Sequence, residues 1–298
     1  MKLKRITLAT LGILISLQPA AGDATSVKNS VVWWGDSLTA GAGGNGVTAP
    51  GELSKLLGIP VLNKGVGGER SSEIAARSGA KKISVKFWGS GKKQGVWDIY
   101  QVVPDRNLLR QGTNVLAGSV GTCIAILKFD GSGYSMQLYK CKRNMKDSTA
   151  DFQIIGLETT HAKFQVIWAG RNNGGDSATV LNDVNLMVKL FKKNNPKVKI
   201  LVLSVINGAG EGAGTGAYSG ILSVNLALAS LNVTYVDVRK CLIQDALMKE
   251  GLSPSTQDIL DMQNDLVPTQ LRSDGIHLNA FGYHAVAACV ASTIKKIS

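Results

Sequence analysis

An apolar run, Val31-Val32-Trp33-Trp34, is broken abruptly by Gly35-Asp36-Ser37-Leu38-Thr39. Successive β-branched and aromatic residues suit a strand buried on both faces, and a glycine lets the backbone turn where a side chain would crowd. Such a strand delivers Ser37 to its carboxyl end, where open α/β sheets place their ligands. Taken alone, the tetrapeptide reads more simply as a Gly-Asp-Ser turn. Any chemistry at Ser37 therefore depends on partners elsewhere in the chain.

A serine hydroxyl is a poor nucleophile until a base takes its proton, and histidine is the usual base where no metal serves. The chain has three histidines. His161 lies in the inserted β-rich region, away from the α/β elements, and His284 falls inside an amphipathic C-terminal helix, where it reads as a packing residue. His277 sits in a loop ahead of that helix, three residues after Asp274. That spacing lets a carboxylate fold back and fix the imidazole tautomer through its other nitrogen. Acyl transfer also needs donors for a developing oxyanion, and a backbone amide at a tight glycine turn or a neutral side-chain amide is suited to that task. Gly68, in the turn Asn63-Lys64-Gly65-Val66-Gly67-Gly68, and Asn172, in Gly170-Arg171-Asn172-Asn173, supply one of each. Both follow expected strands, so Ser37, Gly68, Asn172, Asp274 and His277 are expected to meet on one edge of a sheet.

The positioning elements follow from the patterning. Strand, turn and helix alternate through a strand at Val31 to Trp34, a helix at Glu52 to Leu57, a strand at Val61-Leu62 and a helix from about Ser71 to Arg77, which predicts a parallel sheet. At Gly79 the texture changes. Ile83 to Trp88, Val96 to Val103, Val115 to Ala117, Cys123 to Phe129, Tyr134 to Lys140 and Phe152 to Leu157 read as strands, punctuated by Gly89-Ser90-Gly91, Gly112 and Asp130-Gly131. Segment 79–163 is accordingly read as an inserted β-rich subdomain, the alternative being a hairpin layer lying on the main sheet. The α/β pattern resumes in Phe164 to Ala169, with Asp176 capping a helix through Val188 to Lys193, a strand at Lys199 to Val205, a helix at about Tyr218 to Ser230, a strand at Val233 to Val238 and a final helix from about Ala280 to Lys295. The loop Gly208-Ala209-Gly210-Glu211-Gly212-Ala213-Gly214 is either a mobile lid or a surface linker.

Lys2, Lys4 and Arg5 precede an apolar run from Ile6 to Leu17 and then Gln18-Pro19-Ala20-Ala21-Gly22-Asp23-Ala24, the pattern of a signal peptide over residues 1–24. The run is too short for a membrane-crossing helix, so the mature chain is expected to carry no transmembrane segment and to be secreted or periplasmic. Four cysteines in an exported chain point to disulfides. They allow three pairings; the hairpin through Asp130-Gly131-Ser132-Gly133 would bring Cys123 opposite Cys141, leaving Cys241 for Cys289. No cysteine has C-x-x-C spacing, and the histidines are scattered, so neither a metal nor another cofactor is expected. Of a formal charge of +12, much lies between Gly79 and Gln165, where thirteen Lys or Arg face six acids. A local field of that sign attracts polyanions of any sort, and nothing in the pattern dedicates it to nucleic acid.

Gly35-Asp36-Ser37-Leu38, Asn63-x-Gly65-x-x-Gly68, Gly170-x-Asn172-Asn173 and Asp274-x-x-His277, in that order, resemble the four blocks of the SGNH hydrolase superfamily, also called GDSL esterases and lipases. The resemblance covers about Val31 to Glu73, Phe164 to Val205 and Ser273 to the C-terminus, so the hydrolase portion would comprise 25–78 and 164–298. It implies a three-layer α/β/α sandwich with a parallel, flavodoxin-like central sheet. It further implies that Ser37 attacks, His277 serves as base and then acid, Asp274 orients His277, and the amides of Ser37 and Gly68 with the Asn172 side chain form an oxyanion hole. The third block usually ends in aspartate, where this chain has Asn173. Export and the basic insertion favour a small acyl ester, such as O-acetyl, on a polar or acidic glycan, with Trp88, Trp97, Tyr100 and Tyr134 as stacking candidates. The other readings are a lipase, lysophospholipase or thioesterase of the same family, acyl transfer to a sugar, and a glycan-binding protein with a vestigial hydrolase core. Oligomeric state is not legible at this level.

Overall fold

Val31–Gly35 forms strand β1, buried along its whole length. It can be so because it lies inside a five-stranded sheet of order β11-β10-β9-β1-β2, with β2 at Val61–Gly65, β9 at Phe164–Trp168, β10 at Lys199–Leu203 and β11 at Thr234–Val236, every pairing parallel. Parallel sheets need both faces covered, and here the side chains divide by alternation. Val31 and Trp33 pack towards α2 (Ala49–Leu57), α6 (Val238–Gln244), α7 (Ala246–Lys249) and α9 (Ala280–Ile297), while Val32 and Trp34 pack towards α3 (Ser71–Arg77), α4 (Ser177–Asn194) and α5 (Gly216–Ala229). The result is the expected three-layer α/β/α sandwich with a parallel central sheet. Trp34 brings a polar atom into its layer and satisfies it, its Nε1 donating to Gln165 Oε1 at 2.8 Å.

The structure is a computed structural model that describes residues 29–88, 95–103, 108–109, 115–143, 148–155 and 157–298. The signal-peptide segment 1–24 and the expected turns at Gly89-Ser90-Gly91 and Gly112 lie outside the described residues.

Between α3 and β9 the chain leaves the sheet and closes on itself. Strands β3 (Ile83–Phe87), β4 (Gly95–Val103), β5 (Val115–Val120), β6 (Cys123–Phe129), β7 (Tyr134–Tyr139) and β8 (Thr149–Ile154) form an antiparallel barrel of order β3-β4-β7-β6-β5-β8, with β8 pairing back to β3. The strands hydrogen-bond to one another and add nothing to the main sheet. Period-two patterning builds the interior: Ile83, Val85 and Phe87 point in, with Val102, Ala125, Leu127, Met136 and Leu138. Gly118 is small because a Cβ there would stand 2.5 Å from the Phe152 ring. Closure also removes the free edges that six short strands would otherwise expose. Cys123 is joined to Cys141 across the barrel hairpin, and Cys241 to Cys289 between α6 and α9.

Two local expectations change. The strand expected at Val233 to Val238 stops at Val236, because Asp237 accepts the Lys240 N–H at 2.9 Å and starts α6. His284 does not pack inside its helix: its Nδ1 lies 2.7 Å from Glu250 Oε1, and its side chain is 42% exposed. Among the described residues, no helix is long and apolar enough to cross a membrane, and no group of His, Cys, Asp or Glu is placed to hold a metal ion.

Candidate active site

Ser37 opens the one-turn helix α1 (Ser37–Ala40) directly after β1. The approach is possible only because of Gly35: a Cβ there would lie 2.1 Å from Thr39 Oγ1 and 2.5 Å from the Trp168 carbonyl oxygen. Asp36 then caps the helix, its Oδ1 accepting the Leu38 N–H at 3.0 Å, which sets the turn that carries Ser37 off the sheet. Asp36 is buried, and desolvation pushes its carboxyl up to about 7 against the opposing pull of the Leu38 N–H and the Arg171 guanidinium.

His277 reaches the serine from the other end of the chain. Its Nε2 lies 3.0 Å from Ser37 Oγ, and its Nδ1 lies 2.8 Å from Asp274 Oδ2. The other carboxylate oxygen, Asp274 Oδ1, accepts the backbone N–H groups of Ile276 and His277, each at 2.7 Å. Desolvation acts to raise the Asp274 carboxyl, but these bonds and the His277 ring outweigh it and hold the group at about 2. The carboxylate is therefore ionised across the working pH range and accepts only, which leaves the proton on Nδ1 and the lone pair on Nε2 facing the serine.

The loop carrying Asp274 and His277 is braced from several sides. Ser273 donates its N–H to the His277 carbonyl at 2.9 Å, and Arg272 pairs with Leu278 in an antiparallel bridge. Arg272 is in turn held by Asp261 at 2.8 Å, a buried carboxylate of α8 (Thr256–Gln263). From α9, Tyr283 Oη donates to the Ala42 carbonyl at 2.6 Å, drawing the glycine-rich loop after α1 against the His277 loop. Gly43 packs there so closely that a Cβ would meet Ser273 Oγ at 1.9 Å.

The segment expected to be a lid or a linker is instead a tied strap. Glu211 pairs with Arg171 at 2.8 Å and accepts the Gly208 N–H at 2.6 Å, while Ala209 donates its N–H to the Gly275 carbonyl at 2.8 Å. Gly275 lies between Asp274 and His277, so the strap supports the carboxylate's own turn.

Gly68 and Asn172 follow β2 and β9, the two strands that flank β1. Gly68 has φ +73°, a left-handed conformation that favours glycine. Asn172 Nδ2 donates one proton to the Glu69 carbonyl at 2.9 Å, which seats the amide beside the Gly68 turn and leaves its second N–H to give. Ser37 begins α1, so its own N–H has no carbonyl one turn earlier to bond. The five residues singled out from the sequence thus stand at the carboxyl ends of three adjacent strands and in the loop facing them.

Beneath them lie residues that the sequence did not reveal. Arg77, on α3, pairs with Glu69 at 2.7 Å and donates from Nη2 to the carbonyls of Gly35 at 3.2 Å and Lys64 at 3.0 Å. One guanidinium so joins the ends of β1 and β2 to the turn holding Gly68. Glu69 also accepts the Leu109 N–H at 3.3 Å, the point where the inserted segment touches this framework. Desolvation raises the Glu69 carboxyl, opposed mainly by Arg77. The ion pair joins residues 8 apart across a turn, so no helical or strand spacing announces it.

Asn173 also gains a reason. Ser71 Oγ donates its only proton to Asp183 Oδ2 at 2.8 Å, so it must accept from its other neighbour, and Asn173 Nδ2 donates to it at 3.0 Å. The same asparagine accepts the Ser71 N–H through Oδ1 at 3.0 Å. Asp183 supplies the negative charge here, balanced by Lys81 at 2.7 Å. An aspartate at 173 would set acceptor against acceptor. Asn173→Asp is expected to lower stability by about 1–3 kcal/mol, read as a shift in urea midpoint at unchanged m-value. A midpoint equal to the parent's would show that the proton of Ser71 can be redirected.

A line of Ser, His and Asp at the carboxyl edge of a parallel α/β/α sheet is the layout of an acylhydrolase. The chain belongs to the GDSL-like lipase/acylhydrolase family, whose model matches residues 31–290. Similar solved structures include a lipase/acylhydrolase from Enterococcus faecalis, 13% identical, with 90% of this chain and 96% of that chain covered and a TM-score of 0.48. A lipase from a goat rumen metagenome is 12% identical, covering 89% and 96%, with a TM-score of 0.45. A carbohydrate esterase family 2 enzyme with a carbohydrate-binding domain, from Corynascus thermopiles (Myceliophthora fergusii), is 15% identical, covering 90% of this chain and 66% of that one, with a TM-score of 0.46. A search among curated proteins returned no match.

Proposed function

We propose that the chain is an exported serine esterase that removes a small acyl group, most simply acetyl, from a carbohydrate carrier. The observation that carries this reading is the continuous relay from Asp274 through His277 to Ser37, at 2.8 and 3.0 Å. In it, His277 Nε2 takes the Ser37 proton as Oγ attacks the ester carbonyl, and the negative oxygen is met by the Ser37 and Gly68 N–H groups and the free N–H of Asn172. Collapse expels the carrier's alcohol, which receives its proton from His277 and leaves an acyl-Ser37. Water then attacks, giving its proton to His277, and the acid departs as Ser37 Oγ is reprotonated.

The small acyl group is supported by the openness of this site. The side chains of Asp274 and His277 are 53% and 23% exposed, so the reacting centre sits at the surface, accessible to a bulky polar carrier. The exported, polar carrier is supported by the signal pattern and by the basic excess of the inserted segment. A series of p-nitrophenyl esters from acetate to palmitate, run beside O-acetylated polysaccharides, tests the assignment. Activity is expected on acetate and on the polymers and to fall with chain length; a preference for long chains would replace the reading with that of a lipase.

A further inference from the structure

A cleft of about 260 Å³ opens where the edge strand β2 faces the barrel, lined on the sheet side by Trp34, Lys64 and Arg77 and on the inserted side by Val115, Ile155 and Thr159. Lys64 pairs in register with Trp34, and opposed residues of parallel strands share a face, so its side chain lies on the Trp34 side of the sheet, towards this cleft. Arg77 is already committed to Glu69 and to two carbonyl oxygens. Lys64 is half-buried and, among the described residues, its ammonium has neither a hydrogen-bond nor an ion-pair partner. Burial and then the neighbouring Arg77 guanidinium hold that ammonium below the ordinary lysine value. A cation in this position gains more from an incoming anion than a surface lysine does, because solvent and salt screen it less.

The walls restrict the anion. Val115 and Ile155 present apolar surface beside the charge in a cleft whose lining is otherwise largely polar, so a ligand that carries a carboxylate-sized anion and a small apolar face suits it. The C–H face of a pyranose ring bearing a carboxylate has both, and the volume suits one such ring. The cleft lies along the end of β2 that leads to the Gly68 turn: Gly65 and Val66 line it, Val66 donates its N–H to the Gly35 carbonyl at 3.1 Å, and Asn63 Nδ2 donates to the Thr39 carbonyl at 2.9 Å. Lys64 precedes Gly68 by four residues, so their Cα atoms are at most about 14 Å apart.

We propose that this cleft binds the carboxylate of an acidic sugar in the substrate's carrier, with Lys64 as the cation that holds it. The proposal rests on the esterase reading for its purpose, but not for its measurement, since binding needs no turnover. Calorimetric titration of the full chain with trigalacturonate, maltotriose and inorganic phosphate tests it in the parent protein, Lys64→Met and Lys64→Arg. Trigalacturonate is expected to bind the parent, to bind Lys64→Met at least ~10-fold more weakly and to bind Lys64→Arg within a few-fold, as loss and retention of one charge-assisted hydrogen bond require. Maltotriose is expected to bind none of them measurably, and p-nitrophenyl acetate turnover and thermal midpoints to be alike in all three. Equal binding of trigalacturonate by the parent and Lys64→Met, or no binding by the parent, would overturn the proposal. Maltotriose binding as tightly as the acidic sugar would do the same. Phosphate binding as tightly, with the same loss in Lys64→Met, would make the cleft a phosphate site instead. Absence of p-nitrophenyl acetate turnover in the parent would remove the esterase reading while leaving the binding result standing.

Discussion

Ser37→Ala is expected to lower turnover of p-nitrophenyl acetate by at least ~10⁴-fold while leaving the thermal midpoint nearly unchanged. The two halves of that expectation have separate causes. The substitution removes the atom that forms the acyl bond, and no neighbouring group can replace it: Thr39 is buried, with its Oγ1 against Gly35, and Ser273 Oγ lies against the His277 carbonyl at 3.2 Å. Folding hardly depends on the lost hydroxyl, whose one bond, to His277 Nε2 at 3.0 Å, is partly open to solvent. The helix it begins is held by the Asp36 cap and by backbone bonds from Gly41 and Ala42 to the Ser37 carbonyl at 3.0 Å, none of which the substitution touches. Paired measurement of turnover and melting decides the matter. Residual turnover near the parent level in a folded variant would dismiss the serine mechanism.

What the sequence made legible was whatever is enforced locally. β1 and β9 are recognisable because a strand buried on both faces has to be a nearly continuous apolar run, interrupted in β9 only by Gln165, and the barrel strands because a half-buried strand must alternate. His277 stands out by chemistry and place: a base needs an orienting acid, and Asp274 stands three residues before it in a loop ahead of the last helix. What stayed hidden was enforced at a distance. Barrel closure depends on β8 finding β3 across residues 83 to 152, for which no short pattern exists. α8 carries a polar face turned inwards, Asp258 and Asp261 being buried to hold Gln270, Thr269 and Arg272, so its apolar periodicity is weak; the Ser255 to Asp258 capping box was the available signal. Asn173 looked like a departure from pattern until Ser71 and Asp183, on two other helices, showed which atom had to donate.

Arg77 shows how much of the site's order comes from such a distant partner. Arg77→Met is expected to destabilise the protein by about 3–5 kcal/mol, because it leaves Glu69 as a buried carboxylate with its main counter-charge gone. Glu69 is 0% exposed, so water cannot take the place of the guanidinium. The carbonyls of Gly35 and Lys64 lose a donor at the same time. The pH dependence separates lost charge from lost packing. Burial already raises the Glu69 carboxyl in the folded parent, and removing Arg77 raises it further. A carboxyl whose folded value exceeds its unfolded value binds protons more readily in the folded state, so the variant loses stability relative to the parent as pH climbs above the unfolded value and regains it below. The deficit is therefore expected to be smaller at pH 4.5 than at pH 8, and Glu69→Gln in the Arg77→Met background is expected to recover part of it at pH 8 and little at pH 4.5. Chemical denaturation of the single and double variants at both pH values measures all four quantities. A deficit that is the same at both pH values and untouched by Glu69→Gln would mean that Arg77 acts through its packing and its carbonyl contacts rather than through its charge.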